Sequence, residues 1–231
     1  MIVRKFMLDH IPAILYGAES NKVFLFIHGK DGCKEDAATF AETATLSGWQ
    51  VLSIDLPEHG ERKSGGVQML PWNVVPELQS VMAYAKQHWN NIAIRANSIG
   101  AWFSMLSFAN EPIQKCLFVS PILDMEKLIQ NMMLLSQVSE EQLQREEQMQ
   151  TNFGETLSWE YLSYVRSHPI TSWNVPTSIL YAGQDNLTDR ATVDDFAKRY
   201  HAKLTVMENG EHWFHTPEQL AFLEEWTEAE L

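Results

Sequence analysis

One serine, at the joint between a predicted strand and a predicted helix, constrains the fold of this chain more than any other feature. The stretch NIAIRANSIGAWFSMLS, residues 91–107, has apolar residues at 92, 93, 94 and 96 before Ser98, and apolar residues at helical spacing after it. The period therefore changes from strand to helix at Ser98. A tight turn there requires small residues two positions to either side, and these are Ala96 and Gly100. The pattern predicts a serine held on a sharp turn.

Apolar runs alternate with helical patterns along most of the 231 residues. The runs predict strands at residues 3–8, 11–16, 23–27, 49–54, 92–96, 115–119, 177–182 and 203–207. Helices are predicted at residues 35–47, 76–88, 191–200 and from residue 217. We expect a single α/β domain over residues 1–231, with a doubly wound, mostly parallel sheet and an N-terminal antiparallel hairpin at its edge.

The alternation stops between residues 124 and 168. This stretch has helical patterns, for example at Leu128, Met132 and Leu135, and no predicted strand. It predicts a helical insertion after a strand of the sheet, with ordinary helices packed on the sheet as the alternative.

Several loops carry a resemblance to a known family. The sequence ANSIG around Ser98 resembles the G-x-S-x-G nucleophile elbow of the alpha/beta-hydrolases, with alanine in place of the first glycine. Taken alone, it could also be a serine that caps a helix. The His28-Gly29 pair, the D-x-P-x-H-G sequence at residues 55–60 and the closing segment GEHWFHTPEQL are similar to loops of the same superfamily. The resemblance covers nearly the whole chain.

The resemblance implies a catalytic triad in the order serine, acid, histidine. It assigns the nucleophile to Ser98, the acid to Asp185 after the strand at residues 177–182, and the general base to His212 after the last strand. It also implies an oxyanion hole formed by the backbone N–H groups of Lys30 and Ile99.

Other residues compete for these roles. Asp189 is expected to cap the helix that follows it, and Asp124 occupies a position that some superfamily members use for the acid. His215 directly precedes the Thr-Pro-Glu-Gln start of the last helix, which favours a role in helix entry. His59, in the D-x-P-x-H-G loop, is expected to be structural. His212 and His215 have no third ligand nearby, so no metal site is expected.

The insertion at residues 124–168 would be a lid over the nucleophile in this family. Its flexible methionines and aromatic side chains suit varied apolar groups. The substrate-binding candidates are Met132, Met133, Trp159 and Tyr161.

A serine nucleophile with these partners indicates acyl transfer. We expect a serine hydrolase that cleaves a carboxylic ester of a small, neutral, apolar substrate through an acyl-enzyme on Ser98, without a cofactor. A thioesterase, a peptidase or another acyl hydrolase would use the same triad, and a small-molecule receptor of hydrolase fold would keep the fold without turnover.

The net charge indicates which partners are disfavoured, and the cysteine content indicates which compartment suits the protein. The net charge of −13 disfavours nucleic acid and anionic membranes, because the field of the protein repels phosphates. Cys33 and Cys116 are too few for a disulfide framework, which suits a reducing compartment. No signal-peptide pattern is present, and no run approaches the roughly 20 apolar residues that span a bilayer. A cytoplasmic protein acting on a small-molecule ester is expected; no oligomeric state is predicted.

Overall fold

The computed structural model describes residues 1–231 and contains one eight-stranded sheet and one two-stranded sheet. The strands of the large sheet are β1 (Val3–Leu8), β2 (Ile11–Tyr16), β3 (Lys22–Ile27), β4 (Gln50–Ile54), β5 (Asn91–Asn97), β6 (Ile113–Val119), β9 (Thr177–Ala182) and β10 (Lys203–Met207), and those of the small sheet are β7 (Gln148–Gln150) and β8 (Thr156–Ser158). The order of strands in the large sheet is β1-β2-β4-β3-β5-β6-β9-β10. β2 pairs antiparallel with both β1 and β4, and the other neighbours in the sheet pair parallel. The mostly parallel sheet predicted from the sequence is confirmed.

The structure contains eight α-helices. They are α1 (Ala37–Leu46), α2 (Pro71–His88), α3 (Ile99–Phe108), α4 (Met125–Leu135), α5 (Glu140–Glu146), α6 (Trp159–Ser167), α7 (Arg190–Tyr200) and α8 (Pro217–Glu230). Helices α1 and α8 contact each other, whereas α3 packs against α2 and against β3, β5 and β6. No helix is both long and apolar enough to cross a membrane.

Two helices begin at residues other than those predicted. The helix predicted at residues 76–88 begins at Pro71, because proline is favoured in the first turn, where its missing N–H has no partner to lose. Pro76 therefore lies inside α2. The helix predicted from residue 35 begins as a short 3-10 helix, Lys34–Asp36, which leads into α1.

Strand β3 lies at the centre of the hydrophobic core. Phe24 is fully buried, with its ring centroid 5.1 Å from that of Phe40 and 4.5 Å from that of Trp49. Burying a side chain of this size stabilises the fold by about 1.5–3 kcal/mol. This packing fixes β3, and with it the loop that begins at His28.

The chain divides into two compact units. The core unit comprises Met1–Leu123 and Ser172–Leu231, and the insertion unit comprises Asp124–Thr171. Within the insertion unit, the Arg166 guanidinium donates to Glu126 at 2.7 Å and to Glu140 at 2.6 and 2.7 Å. The prediction that residues 124–168 hold no strand is wrong, since β7 and β8 pair antiparallel there. Strands of three residues are too short to show an alternating pattern.

Candidate active site

Ser98 lies on a strained turn between β5 and α3. Its backbone has φ 51 and ψ −124, a conformation that L-residues rarely adopt and that costs about 1–3 kcal/mol. The Ser98 N–H donates to the carbonyl of Val119 at 3.0 Å, and the Ser98 carbonyl accepts from the N–H of Ile122 at 3.1 Å. A Cβ on Gly100 would lie 2.6 Å from the carbonyl oxygen of His28, so only glycine fits there. The surrounding backbone thus holds the turn in place.

The side chains of Ser98, His212 and Asp185 form a continuous hydrogen-bonded chain. Ser98 Oγ lies 2.8 Å from His212 Nε2, and His212 Nδ1 lies 2.7 Å from Asp185 Oδ2. Asp185 follows β9 and has a fully buried side chain, while His212 follows β10 and its side chain is 17% exposed. With Nδ1–H donating to the carboxylate, Nε2 is free to accept the serine proton. This arrangement can activate a hydroxyl as a nucleophile.

Two backbone amides hold the acid in place. Asp185 Oδ1 accepts from the N–H of Leu187 at 2.8 Å and from that of Thr188 at 3.0 Å. The other oxygen is thereby aimed at His212. The loop after β9 therefore presents a fixed carboxylate to the histidine ring.

The alternative residues have partners of their own. Asp189 caps α7 by accepting from the N–H of Thr192 at 3.0 Å, and Asp124 caps α4 by accepting from the N–H of Lys127 at 2.9 Å. His215 stacks on Trp213, with ring centroids 5.0 Å apart, and its backbone N–H donates to Gln219 at the start of α8. Each of the three therefore has a structural role at the start of a helix.

The loop after β3 runs beside Ser98. A Cβ on Gly29 would lie 3.1 Å from the Cβ of Ser98. Gly29 begins a turn closed by a 3.2 Å hydrogen bond from the N–H of Gly32 to its carbonyl, and Lys30 is the first residue inside this turn. Ile99 is the first residue of α3. The two residues predicted to form the oxyanion hole thus lie on the two backbone segments that border the serine.

A buried ion pair joins the loops after β3 and β4. Asp55 accepts from the Lys34 ammonium and from the Lys34 backbone N–H, both at 2.8 Å, and from the N–H of Glu61 at 3.0 Å. Burial alone would lower the pKa of Lys34, but hydrogen bonds to Asp55 and Glu61 raise it above the usual lysine value. A Cβ on Gly60 would clash with the Asp55 carboxylate, so only glycine fits at this position. Sequence reasoning missed this pair, because nothing marks Lys34 as buried.

The four substrate-binding candidates all lie in the insertion unit. Met132 and Met133 belong to α4, while Trp159 and Tyr161 belong to α6. Met133 is buried and the other three are half-buried. Their contact with a substrate stays a prediction.

The cysteines lack the features of a redox or metal site. Burial raises the pKa of the Cys33 thiol and of the fully buried Cys116 thiol, which keeps both protonated at neutral pH. No group of three or more His, Cys, Asp or Glu side chains is arranged to hold a metal ion.

No family model matches the sequence. The hydrolase pyiE of Pyricularia grisea is 27% identical over 135 residues, which cover 50% of this chain. The match spans only 29% of the length of that relative.

Solved structures resemble the chain over its whole length. Est1E from Butyrivibrio proteoclasticus, with ferulic acid bound, has a TM-score of 0.78 at 20% identity and covers 98% of this chain and 97% of its own. The mouse alpha/beta hydrolase domain-containing protein 10 has a TM-score of 0.77 at 10% identity, with 100% of this chain and 98% of its own covered. Together with the strand order, these similarities show that the chain has the fold of the alpha/beta-hydrolase superfamily.

Proposed function

We propose that this protein is a serine hydrolase that cleaves carboxylic esters. The observation that carries the proposal is the pair of hydrogen bonds from Ser98 to His212, at 2.8 Å, and from His212 to Asp185, at 2.7 Å. The sequence relative from Pyricularia grisea is named a hydrolase, which supports hydrolysis as the class of reaction.

The mechanism follows from the roles of the three side chains. Ser98 Oγ attacks the ester carbonyl carbon while His212 Nε2 accepts the serine proton, and Asp185 stabilises the imidazolium that forms. His212 then donates this proton to the departing alcohol, which leaves an acyl-enzyme on Ser98. Water, deprotonated by His212, attacks the acyl group, and the carboxylic acid leaves as Ser98 regains its proton.

The tetrahedral intermediate carries a negatively charged oxygen, which hydrogen-bond donors would stabilise. The N–H groups of Lys30 and Ile99 are our candidates, because their backbone segments border Ser98. The Ile99 amide is also at the N-terminus of α3, where the aligned peptide dipoles favour negative charge.

The expected substrate is a small, neutral ester with an apolar acyl or alcohol group. The net charge of −13 opposes the approach of anionic substrates. The candidates for contacts with the apolar group are Met132, Met133, Trp159 and Tyr161.

A fluorophosphonate probe tests the nucleophile. It should label the protein at Ser98, and Ser98→Ala should abolish labelling and lower ester turnover by roughly four to six orders of magnitude. Labelling that persists in Ser98→Ala would refute the assignment.

A substrate panel tests the class of bond. p-Nitrophenyl esters should be cleaved faster than matched acyl thioesters or aminoacyl amides. Faster cleavage of the thioesters or the amides would reassign the protein to another class of acyl hydrolase. Inactivity on all three would favour a binding module that keeps the fold without turnover.

A further inference from the structure

Two buried histidines hold the two peptide groups that flank Lys30. His28 Nδ1 lies 2.7 Å from the carbonyl oxygen of Gly29, which belongs to the same peptide group as the Lys30 N–H. His59 Nε2 accepts from the N–H of Asp31 at 2.9 Å, in the next peptide group. Lys30 therefore lies between two fixed peptide planes.

The remaining ring nitrogens fix the protonation state of both histidines. His28 Nε2 accepts from the N–H of Leu56 at 3.0 Å, so its proton is on Nδ1 and is donated to Gly29. His59 Nε2 likewise accepts from Asp31, so its Nδ1–H donates to the carbonyl of Pro57 at 2.7 Å. Both rings are thus neutral and link the loop after β3 to the loop after β4.

The hydrogen bond from the Asp31 N–H to His59 holds Asp31 in a strained backbone conformation. Asp31 has φ 62, a conformation in which a residue other than glycine is uncommon. In a four-residue turn such as Gly29–Gly32, rotation of the central peptide group would relieve this strain by moving φ at the third residue to a negative value. That rotation would turn the Asp31 N–H away from His59 and change ψ at Lys30.

We propose that His28 and His59 are positioning residues that orient the Lys30 N–H toward the oxyanion formed at Ser98. This inference rests on the proposed function, because it gives the two rings a part in stabilising the transition state. His28 sets the plane of the peptide group that carries the donor, and His59 prevents the adjacent peptide group from rotating. Neither ring contacts the substrate.

Two substitutions of His59 separate positioning from packing. His59→Leu fills the space without an acceptor, whereas the carbonyl of His59→Gln can still accept from the Asp31 N–H. Glu58→Ala is the matched control, because it removes a hydrogen bond of the same loop to the N–H of Met69, at 2.7 Å, away from this turn. Removing an oxyanion donor outright lowers kcat by about 10²–10³-fold.

His59→Leu should therefore lower kcat for a p-nitrophenyl ester by about tenfold or more with KM unchanged, because the oxyanion that the Lys30 N–H stabilises forms only in the transition state. The kcat of His59→Gln should stay within about threefold of the wild-type value, and the kcat of Glu58→Ala should equal the wild-type value. An unchanged kcat in His59→Leu, or an equal loss in His59→Leu and His59→Gln, would overturn the proposal.

Amide hydrogen exchange supplies a readout that needs no turnover. The Asp31 N–H should exchange slowly in the wild type and in His59→Gln, and fast in His59→Leu. Unchanged protection in His59→Leu overturns the positioning role. A wild type that cleaves no ester overturns the proposed function instead, so the two failures are distinct.

Discussion

The Asp185 carboxylate is the most constrained side chain of the candidate triad. Its side chain is fully buried, and both oxygens are engaged, one by His212 and the other by the N–H groups of Leu187 and Thr188. The alternative acids, Asp189 and Asp124, instead accept from the first turns of α7 and α4. We therefore expect replacement by asparagine to have very different effects at the three aspartates.

Asp185→Asn should lower kcat on the order of 10⁴-fold, because an amide at this position favours the wrong tautomer of His212. Asp189→Asn and Asp124→Asn should stay near the wild-type rate, since asparagine is as good a helix cap as aspartate. Steady-state kinetics of the three variants on one ester makes the comparison. A comparable loss in Asp124→Asn would contradict the assignment of the acid.

His28 should make the stability of the protein depend on pH. Burial lowers its pKa from 6.5 to about 4, so between these values the unfolded chain binds a proton that the folded protein does not. The stability is fully present above pH 6.5 and falls by about 3 kcal/mol as the pH drops to about 4, at roughly 1.36 kcal/mol per pH unit.

Urea unfolding of the wild type and of His28→Gln checks this dependence. Between pH 7 and about pH 4.5, the wild type should lose roughly 2–3 kcal/mol more free energy of unfolding than the variant. The variant is the control for all other groups that titrate in this range. An equal loss of free energy of unfolding in the wild type and in His28→Gln would contradict the lowered pKa, because His28 would then be protonated within the folded protein.

At the scale of elements, the sequence predicts features that depend on neighbouring residues and misses those that depend on residues far apart in the chain. Strands β3, β5 and β9 are buried apolar runs, which made them predictable. Ser98 directly follows β5, and Asp185 lies three residues beyond the end of β9. The resemblance to the alpha/beta-hydrolases then assigned their candidate roles at these strand ends. The Lys34–Asp55 pair joins residues 21 positions apart, and only the paired strands bring them together. The short strands β7 and β8 carry no pattern of their own. Local periodicity is readable, whereas contacts between loops are not.

Strand β5 also carries a charge that its surroundings do not neutralise. Arg95 is buried, its Nε and Nη1 have no hydrogen-bond partner, and its guanidinium carbon lies 5.6 Å from the ring centroid of Phe40 and 5.7 Å from that of Trp226. Burial lowers its pKa to about 9. The aromatic contacts offset only part of the loss of hydration.

Arg95→Met should therefore stabilise the protein by about 1–4 kcal/mol, because a neutral side chain of similar length replaces an unpaired buried charge. Urea unfolding at pH 7 measures the change. Arg95→Lys keeps the charge and should bring no gain. Destabilisation by methionine would mean that the contacts with Phe40 and Trp226 outweigh the desolvation of the guanidinium.

At the scale of the whole molecule, two features enter the proposal for the substrate. The 30 acidic residues against 17 basic ones create a field that favours neutral or cationic substrates. The insertion unit has its own helices and its own Arg166 ion pairs, so its apolar side chains can be changed without altering the residues of the triad. The proposed role of the insertion unit in substrate selection can thus be tested separately from the chemistry of the candidate triad.

If the insertion unit selects the acyl group, the rate should depend on acyl length. Each methylene buried should raise kcat/KM by up to about fourfold, equivalent to about 0.8 kcal/mol, until the available apolar surface is covered. Met132→Ser with Met133→Ser should flatten this dependence, because serine withdraws apolar surface from the acyl chain. Met125→Ser is the matched control, since Met125 is a buried methionine of the same helix that is not a substrate-binding candidate. The measurement is kcat/KM for straight-chain p-nitrophenyl esters from acetate to decanoate, for the wild type and both variants. A series that is flat in the wild type, or equally steep in the double variant, would show that Met132 and Met133 only pack within the insertion unit.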